Sequence, residues 1–400
     1  MFYGDISMTK KLFYEDIHMT HFKATVVSCE AAELPANEKK SKKETFYRVA
    51  LDATAFFPEE GGQSADLGTM DGQDVLDVQI ESDVIYHLVK NPVAVGETVE
   101  CHVDWAQRFD FMQQHSGEHI LSGIVHERFG YNNVGFHLST REVTLDFDGT
   151  LDSEQLCNIE LAANRIIWQN LPIEISYPSG DELSALSYRS KIEIDGQVRI
   201  VTIPGVDVCA CCAPHTETTG QIGIIKIVNA QNYKGGVRLT ILCGQRALND
   251  YRKKLGSVTA IAQSMSVKQE QVVDAFEKLK CETQTLKETA NALQAKYLSL
   301  ALETLPAPSE SVHAILFTDV SDNIAIRNAV NTLTERYSGY SAIFFGTENN
   351  YRFILGSKAL DCNDAAQTLR TSLSAKCGGN AIMIQGSVTA NKESILPLFQ

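Results

Sequence analysis

Two short segments far apart in the chain carry metal-binding side chains at matched spacing, and any fold open to this sequence has to accommodate both. The first, QQHSGEHILSG, holds His115 and His119; the second, CACCAPHTETTG, holds Cys209, Cys211, Cys212 and His215. On a helix, residues four apart project from one face, one turn apart, so the imidazoles of His115 and His119 can reach one ion. Cys211 and His215 repeat that interval. Neither pair closes a four-coordinate site. Together they supply one thiolate and three imidazoles, or three protein ligands and an open position. Two satisfied helix histidines and a structural clasp through Cys209 or Cys212 are the competing readings. A zinc-protease HExxH is excluded, because Ser116 follows His115 and Glu118 directly precedes His119.

The rest of the chain frames these segments. In residues 11–100, runs such as FKATVVSCE, TFYRVALDATAFF and ETVECHV alternate with turn signals. Short strands at such regular spacing predict a small β-barrel or sandwich. Asp104 is placed to cap a helix running to about Arg128 and ending at Gly130, and a second helix is expected at 153–170. Extended segments around them make 101–243 an α+β unit. From 246 to 304 the pattern changes. Val272, Phe276, Leu279, Thr283, Leu286, Ala290, Leu293, Tyr297 and Leu300 form a four–three stripe, which predicts a helical hairpin or coiled coil. Ser266 and Gln269 are spaced for a capping box before it. Residues 311–400 read as strand, helix, strand, strand, helix, a glycine pair and a strand, a compact α/β domain. The expected class is thus α+β multidomain, with parts at 1–100, 101–243, 246–305 and 309–400.

Composition narrows the function. The chain has 400 residues and a net charge of −15, which argues against a nonspecific nucleic-acid binder. Local basic patches are still available at Lys39, Lys40, Lys42 and Lys43, and at Lys226, Lys234, Arg238, Arg246, Arg252, Lys253 and Lys254, although a solvated face explains any one of them. Seven of the ten cysteines are scattered, as expected of reduced thiols. No apolar run reaches the ~20 residues of a membrane span, and the first residues carry no signal-peptide core. A cytoplasmic protein with no membrane partner is expected.

A third element, FFPEEGGQSADLG, sets two adjacent glycines before Gln63, which lets a ligand approach the backbone beside an amide side chain. Alone it is an ordinary hairpin turn. In the order FFPEEGGQSADLG, HSGEHILSG, CCAPHTETTGQIGIIKI, the three motifs resemble the editing module of alanyl-tRNA synthetases, and the chain resembles the freestanding long AlaX type. The helical segment and the C-terminal domain resemble the synthetase's C-terminal region of the DHHA1 type. No class II aminoacylation motifs stand ahead of the barrel segment, which suits a freestanding editor.

The resemblance implies one zinc ion per chain, held by His115, His119, Cys211 and His215. The family's glycine-rich motif falls on Gly61, Gly62 and Gln63, with Asp66 and Gly68 closing the turn. Between Cys211 and His215 stand Cys212, Ala213 and Pro214, where synthetases carry glycines and threonine. The C-terminal glycine tract is short, Cys377-Gly378-Gly379-Asn380. The implied activity is hydrolysis of the ester joining a wrong amino acid, chiefly serine and also glycine, to tRNA(Ala). Gln63 and His137 are the candidate catalytic groups, and Gly61, Gly62, Gln63 and Thr140 line the expected substrate site, with Ser139 close by. A homodimer through the helical segment and the C-terminal domain is the expected assembly. A zinc hydrolase of another ester and a structural-zinc protein that binds tRNA or dimerises are the alternatives.

Overall fold

The computed structural model describes residues 8–32, 45–190 and 196–399. The cluster Lys39, Lys40, Lys42 and Lys43 lies outside the described residues. The chain divides into two compact units, Met1–Ser257 and Val258–Gln400.

In the first unit, six antiparallel strands close a barrel. β1 (Lys10–Lys11) pairs in parallel with β4 (Ala53–Thr54) as a separate short sheet. β2 (His21–Ala32), β3 (Phe46–Leu51), β5 (Gly68–Met70), β6 (Gln73–Glu81), β7 (Val84–Val89) and β8 (Thr98–Val103) close in the order β2-β3-β7-β6-β5-β8. Phe22, Ala24 and Val26 of β2 point inward while His21 and Lys23 face solvent; Val99, Cys101 and Val103 of β8 do the same. His87 of β7 and Thr54 of β4 are buried polar residues here. His87 donates from Nδ1 to Val49 O (3.1 Å), which leaves Nε2 to accept from the Thr54 hydroxyl (2.9 Å). Burial pushes its pKa down to about 4.

Asp104 ends the barrel and starts α1 (Trp105–Phe129), accepting from the backbone N–H of Ala106 and Gln107. Gly130 closes the helix in the left-handed conformation (φ 69°). β9 (Asn133–Leu138) and β10 (Val143–Phe147) join β14 (Ile225–Tyr233) and β15 (Gly236–Cys243) in a sheet ordered β14-β15-β10-β9. α2 (Ser153–Gln169) packs beside α1, sharing a core built on Ile120, Leu121, Ile124, Leu145, Ile159 and Leu239. A smaller sheet orders β11 (Glu174–Ser176), β12 (Ile200–Ile203) and β13 (Asp207–Ala210), with the short α3 (Gly180–Ala185) after its first strand. α4 (Gly244–Ser264) begins directly from β15.

In the second unit, α5 (Val272–Glu303) runs unbroken through the expected stripe. Ser266 takes a left-handed conformation (φ 55°) and Gln269 donates to Thr259 instead, so the expected capping box does not form. Leu298 of α5 is buried with Ala301 and Leu302 against α6 (Asn323–Arg336) and β16 (Ala314–Thr318). Phe276, Leu286 and Leu293 are exposed. β16, β17 (Ser341–Thr347), β18 (Asn350–Gly356), β19 (Lys376–Gly379) and β20 (Met383–Val388) form a sheet ordered β16-β17-β18-β20-β19. α7 (Cys362–Leu373) covers it, and α8 (Lys392–Ile395) follows. The glycine pair Gly378-Gly379 lies within edge strand β19.

Candidate metal centre

Helix α1 is buried from Phe111 to Val125, yet that stretch includes Gln113, Gln114, His115, Ser116, Glu118, His119 and Ser122. Burying polar side chains costs free energy unless each finds a partner, so the partners show what the helix is for. Gln113 donates to Gln221 O (2.8 Å), and Gln114 exchanges two bonds with the backbone of Cys243. Glu118 accepts from Ser122 Oγ (2.7 Å) and Asn133 Nδ2 (2.5 Å). Ser116, between the two histidines, accepts from Thr216 N (3.1 Å), just past the cysteine segment. The Thr216 hydroxyl also donates to Ser116 Oγ (3.1 Å), so the two motifs are tied directly together.

His115, His119, Cys211 and His215 converge, with their ligand atoms all within 4.8 Å of one another. Cys211 Sγ lies 3.5 Å from His115 Nε2 and 3.7 Å from His215 Nε2. Both helix histidines are oriented from behind. His115 Nδ1 meets Gln63 Oε1 and His119 Nδ1 meets Asp207 Oδ2, each at 2.8 Å. These oxygens only accept, so each Nδ1 carries the proton and each Nε2 turns a lone pair into the cluster. Asp207 is itself gripped by Arg189 through Nε (2.7 Å) and Nη2 (2.8 Å).

The donor set fits a zinc ion. His119 Nε2, which faces the cluster, is buried without a hydrogen-bond partner, an arrangement that coordination relieves. Burial alone would raise the Cys211 pKa, but His115 and His215 hold it well below the usual thiol range. Burial pushes His215 down to about 3. For His119, burial is outweighed by Glu118, Asp207 and the neighbouring thiols, and its pKa rises. A thiolate, imidazole lone pairs and an excess of negative charge around them make up the donor chemistry of a borderline-soft divalent cation.

The three cysteines diverge. Cys209 joins His119 and Asp207 in an overlapping triad with ligand atoms within 4.8 Å. Cys212 turns away toward the glycine loop, where a Cβ on Gly61 would come within 3.3 Å of its sulfur. Burial, then Cys211 and Glu60, push its pKa up, so it stays a thiol.

The glycine loop reaches the cluster from the barrel side. Gly62 has φ 84°, and a Cβ there would fall 2.4 Å from Phe136 O, so only glycine lets the loop lie flat on β9. Leu138 N donates to Gly62 O (2.7 Å) and Ser64 N to Leu138 O (2.9 Å), which leaves Gln63 fully buried beneath His115. Beyond it, Asp66 forms a buried ion pair with Arg108 of α1 and accepts from Phe57 N (2.6 Å). Gly68 opens β5. His137 and Thr140 are exposed and are not brought into the cluster; alternation along β9 puts Phe136 on the inner side, its ring 4.7 Å from that of His115. Asp207, Arg189 and Ser116 were not among the expected site residues. Asp207 stands four residues before Cys211, and nothing in its local pattern separates it from a strand-end acid.

The same segments are matched by known proteins. Residues 4–107, with the glycine loop, match the family model described as tRNA synthetases class II (A). Residues 198–240, with Cys211 and His215, match the threonyl and alanyl tRNA synthetase second additional domain. The alanyl-tRNA editing protein Aarsd1 of Mus musculus is 32% identical over 306 residues, 74% of each chain. This chain belongs to the alanyl-tRNA editing proteins. It is of the AlaX type: AlaX-L of Pyrococcus horikoshii is 30% identical over 253 residues, 60% of each chain. The alanine–tRNA ligase of Ignicoccus hospitalis is 28% identical over 312 residues, 75% of this chain and 33% of the ligase. As an alanyl-tRNA editing protein the chain is an enzyme, a deacylating hydrolase. Among its described residues, no helix of this editing protein is long and apolar enough to cross a membrane.

Proposed function

We propose that this chain hydrolyses the ester linking a wrong amino acid to tRNA(Ala), chiefly serine and also glycine, in the cytoplasm, with one zinc ion per chain held by His115, His119, Cys211 and His215. The observation that carries the reading is the convergence of those four ligand atoms, with two of the imidazoles oriented by Gln63 and Asp207. A zinc ion at such a site supplies Lewis acidity toward an ester carbonyl or a bound water. The chain's own residues do the rest. Gln63 and Asp207 keep the Nδ1 protons of His115 and His119 in place, and the walls made by Phe136 and the Gly61–Gly62 backbone bound the space beside them.

Selection against alanine follows from Gln63. Its Oε1 is occupied by His115, while its Nε2 is buried without a partner. A seryl hydroxyl can satisfy that donor. An alanyl methyl leaves it unpaired, a difference of about 1–3 kcal/mol that adds to any discrimination by size. His137 and Thr140 receive no role at the reacting centre, since both lie on the exposed side of their segment. The test is deacylation of Ser-tRNA(Ala) and Ala-tRNA(Ala) by metal-loaded protein. Ser-tRNA(Ala) is expected to be hydrolysed and Ala-tRNA(Ala) largely spared; no turnover of either would refute the reading.

For assembly, we propose a homodimer in which the apolar stripe of α5 meets its copy. Phe276, Leu279, Leu286 and Leu293 are each more than half exposed at heptad spacing, apolar surface that a second α5 would remove from water.

A further inference from the structure

Arg199 stands immediately before β12 in the segment VRIVTIP, and only 9% of it is exposed. A guanidinium is rarely carried this deep without work for its donors. Its Nη1 donates to Cys211 O (2.7 Å) and to Ala213 O (3.0 Å), while its own carbonyl accepts from Cys211 N (3.1 Å). Cys211 is thus held by Arg199 through both its backbone N–H and its carbonyl. The guanidinium carbon lies 5.3 Å from the ring centroid of Tyr14, within range of a cation–π contact.

These contacts bear on the turn that joins two of the four ligands. Between Cys211 and His215 the chain has Cys212, Ala213 and Pro214, and proline offers no N–H for an internal bond. Drawing the carbonyls of Cys211 and Ala213 toward one nitrogen fixes the course of the turn. Cys211 Sγ and His215 Nε2 then stay 3.7 Å apart and face His115 and His119, while Cys212 is left against Gly61.

We infer that Arg199 is a positioning residue for the metal centre, setting the Cys211–His215 turn so that thiolate and imidazole arrive together. The inference rests on the metal centre proposed above. It assigns Arg199 no contact with substrate. The planar, forked donor set and the flat face against Tyr14 are properties of arginine that lysine shares only in part.

Titration of the purified full chain with Co2+ tests this, because a cobalt–thiolate charge-transfer band reports the Cys211 bond and the visible bands report ligand geometry, independently of turnover. The wild type is expected to bind one Co2+ with a thiolate band; if it binds none, the metal centre itself fails. Arg199→Met is expected to weaken Co2+ affinity by about 10–100-fold, the range typical of lost outer-shell support, and to alter the bands, with Arg199→Lys recovering part of the loss. Met-variant affinity within twofold of wild type, with an unchanged spectrum, overturns the inference while leaving the metal centre standing. Should the Met variant not fold, Arg199→Gln, whose amide reaches one carbonyl, is judged on the same criterion.

Discussion

Asp207 and Gln63 act on the metal centre without facing its interior. By accepting the Nδ1 protons of His119 and His115 they select the tautomer and fix the ring, and Arg189 in turn fixes Asp207. Asp207→Asn keeps one acceptor but gives up the charge and the paired grip of Arg189. It is expected to lower zinc affinity about 10–100-fold in a chelator competition, and wild-type affinity would argue against this role. The two histidine-bearing motifs were readable in the sequence, because four-residue spacing is a local property of a helix or turn, whereas the choice of Cys211 over Cys209 and Cys212 came from the family resemblance. Asp207 and Arg189 were not, because their meeting with His119 depends on how β13 and the segment before β12 pack on α1. His87 makes a prediction of a different kind. Folded, it is neutral down to about pH 4, whereas unfolded it takes up a proton near pH 6.5. Its contribution is fully present above about pH 6.5 and is lost as the pH falls toward 4, on the order of 3 kcal/mol. Denaturant titrations at pH 7 and pH 4.5 should show a smaller loss of stability in His87→Gln than in wild type. Equal losses would contradict the assignment.

At the scale of elements, two periodicities carried most of the fold. The first half of β2 and all of β8 alternate buried with more exposed residues, and helices at 105–129, 153–169 and 272–303 form over the segments read as helical. Local patterns failed where a tertiary partner intervened. Gln269 is drawn to Thr259 and abandons the capping box. The glycine loop shows the same dependence. Its glycines were visible, but why they must be glycine becomes plain only against the carbonyl of Phe136. Gly62→Ala is expected to lift the loop off β9, withdraw Gln63 from His115 and cut Ser-tRNA(Ala) turnover by about tenfold or more. Turnover at the wild-type level would mean that the loop does not position the reacting centre.

For the whole molecule, the stripe on α5 is long, apolar and exposed among the described residues, so the proposed dimer is tested by mass. Light scattering at micromolar protein should give twice the 44.1 kDa chain mass, and Leu286→Glu with Leu293→Glu should return it to one. A monomeric wild type would contradict the assembly and leave the metal centre untouched. The central claim joins the two motifs into one working site, and the three neighbouring cysteines allow it to be tested directly. Zinc content and Ser-tRNA(Ala) hydrolysis are measured on the same preparations of Cys211→Ala and Cys209→Ala. Cys211→Ala is expected to lose zinc and hydrolysis together, and Cys209→Ala to keep both. Hydrolysis by zinc-free Cys211→Ala, or loss of zinc in Cys209→Ala alone, would contradict that claim.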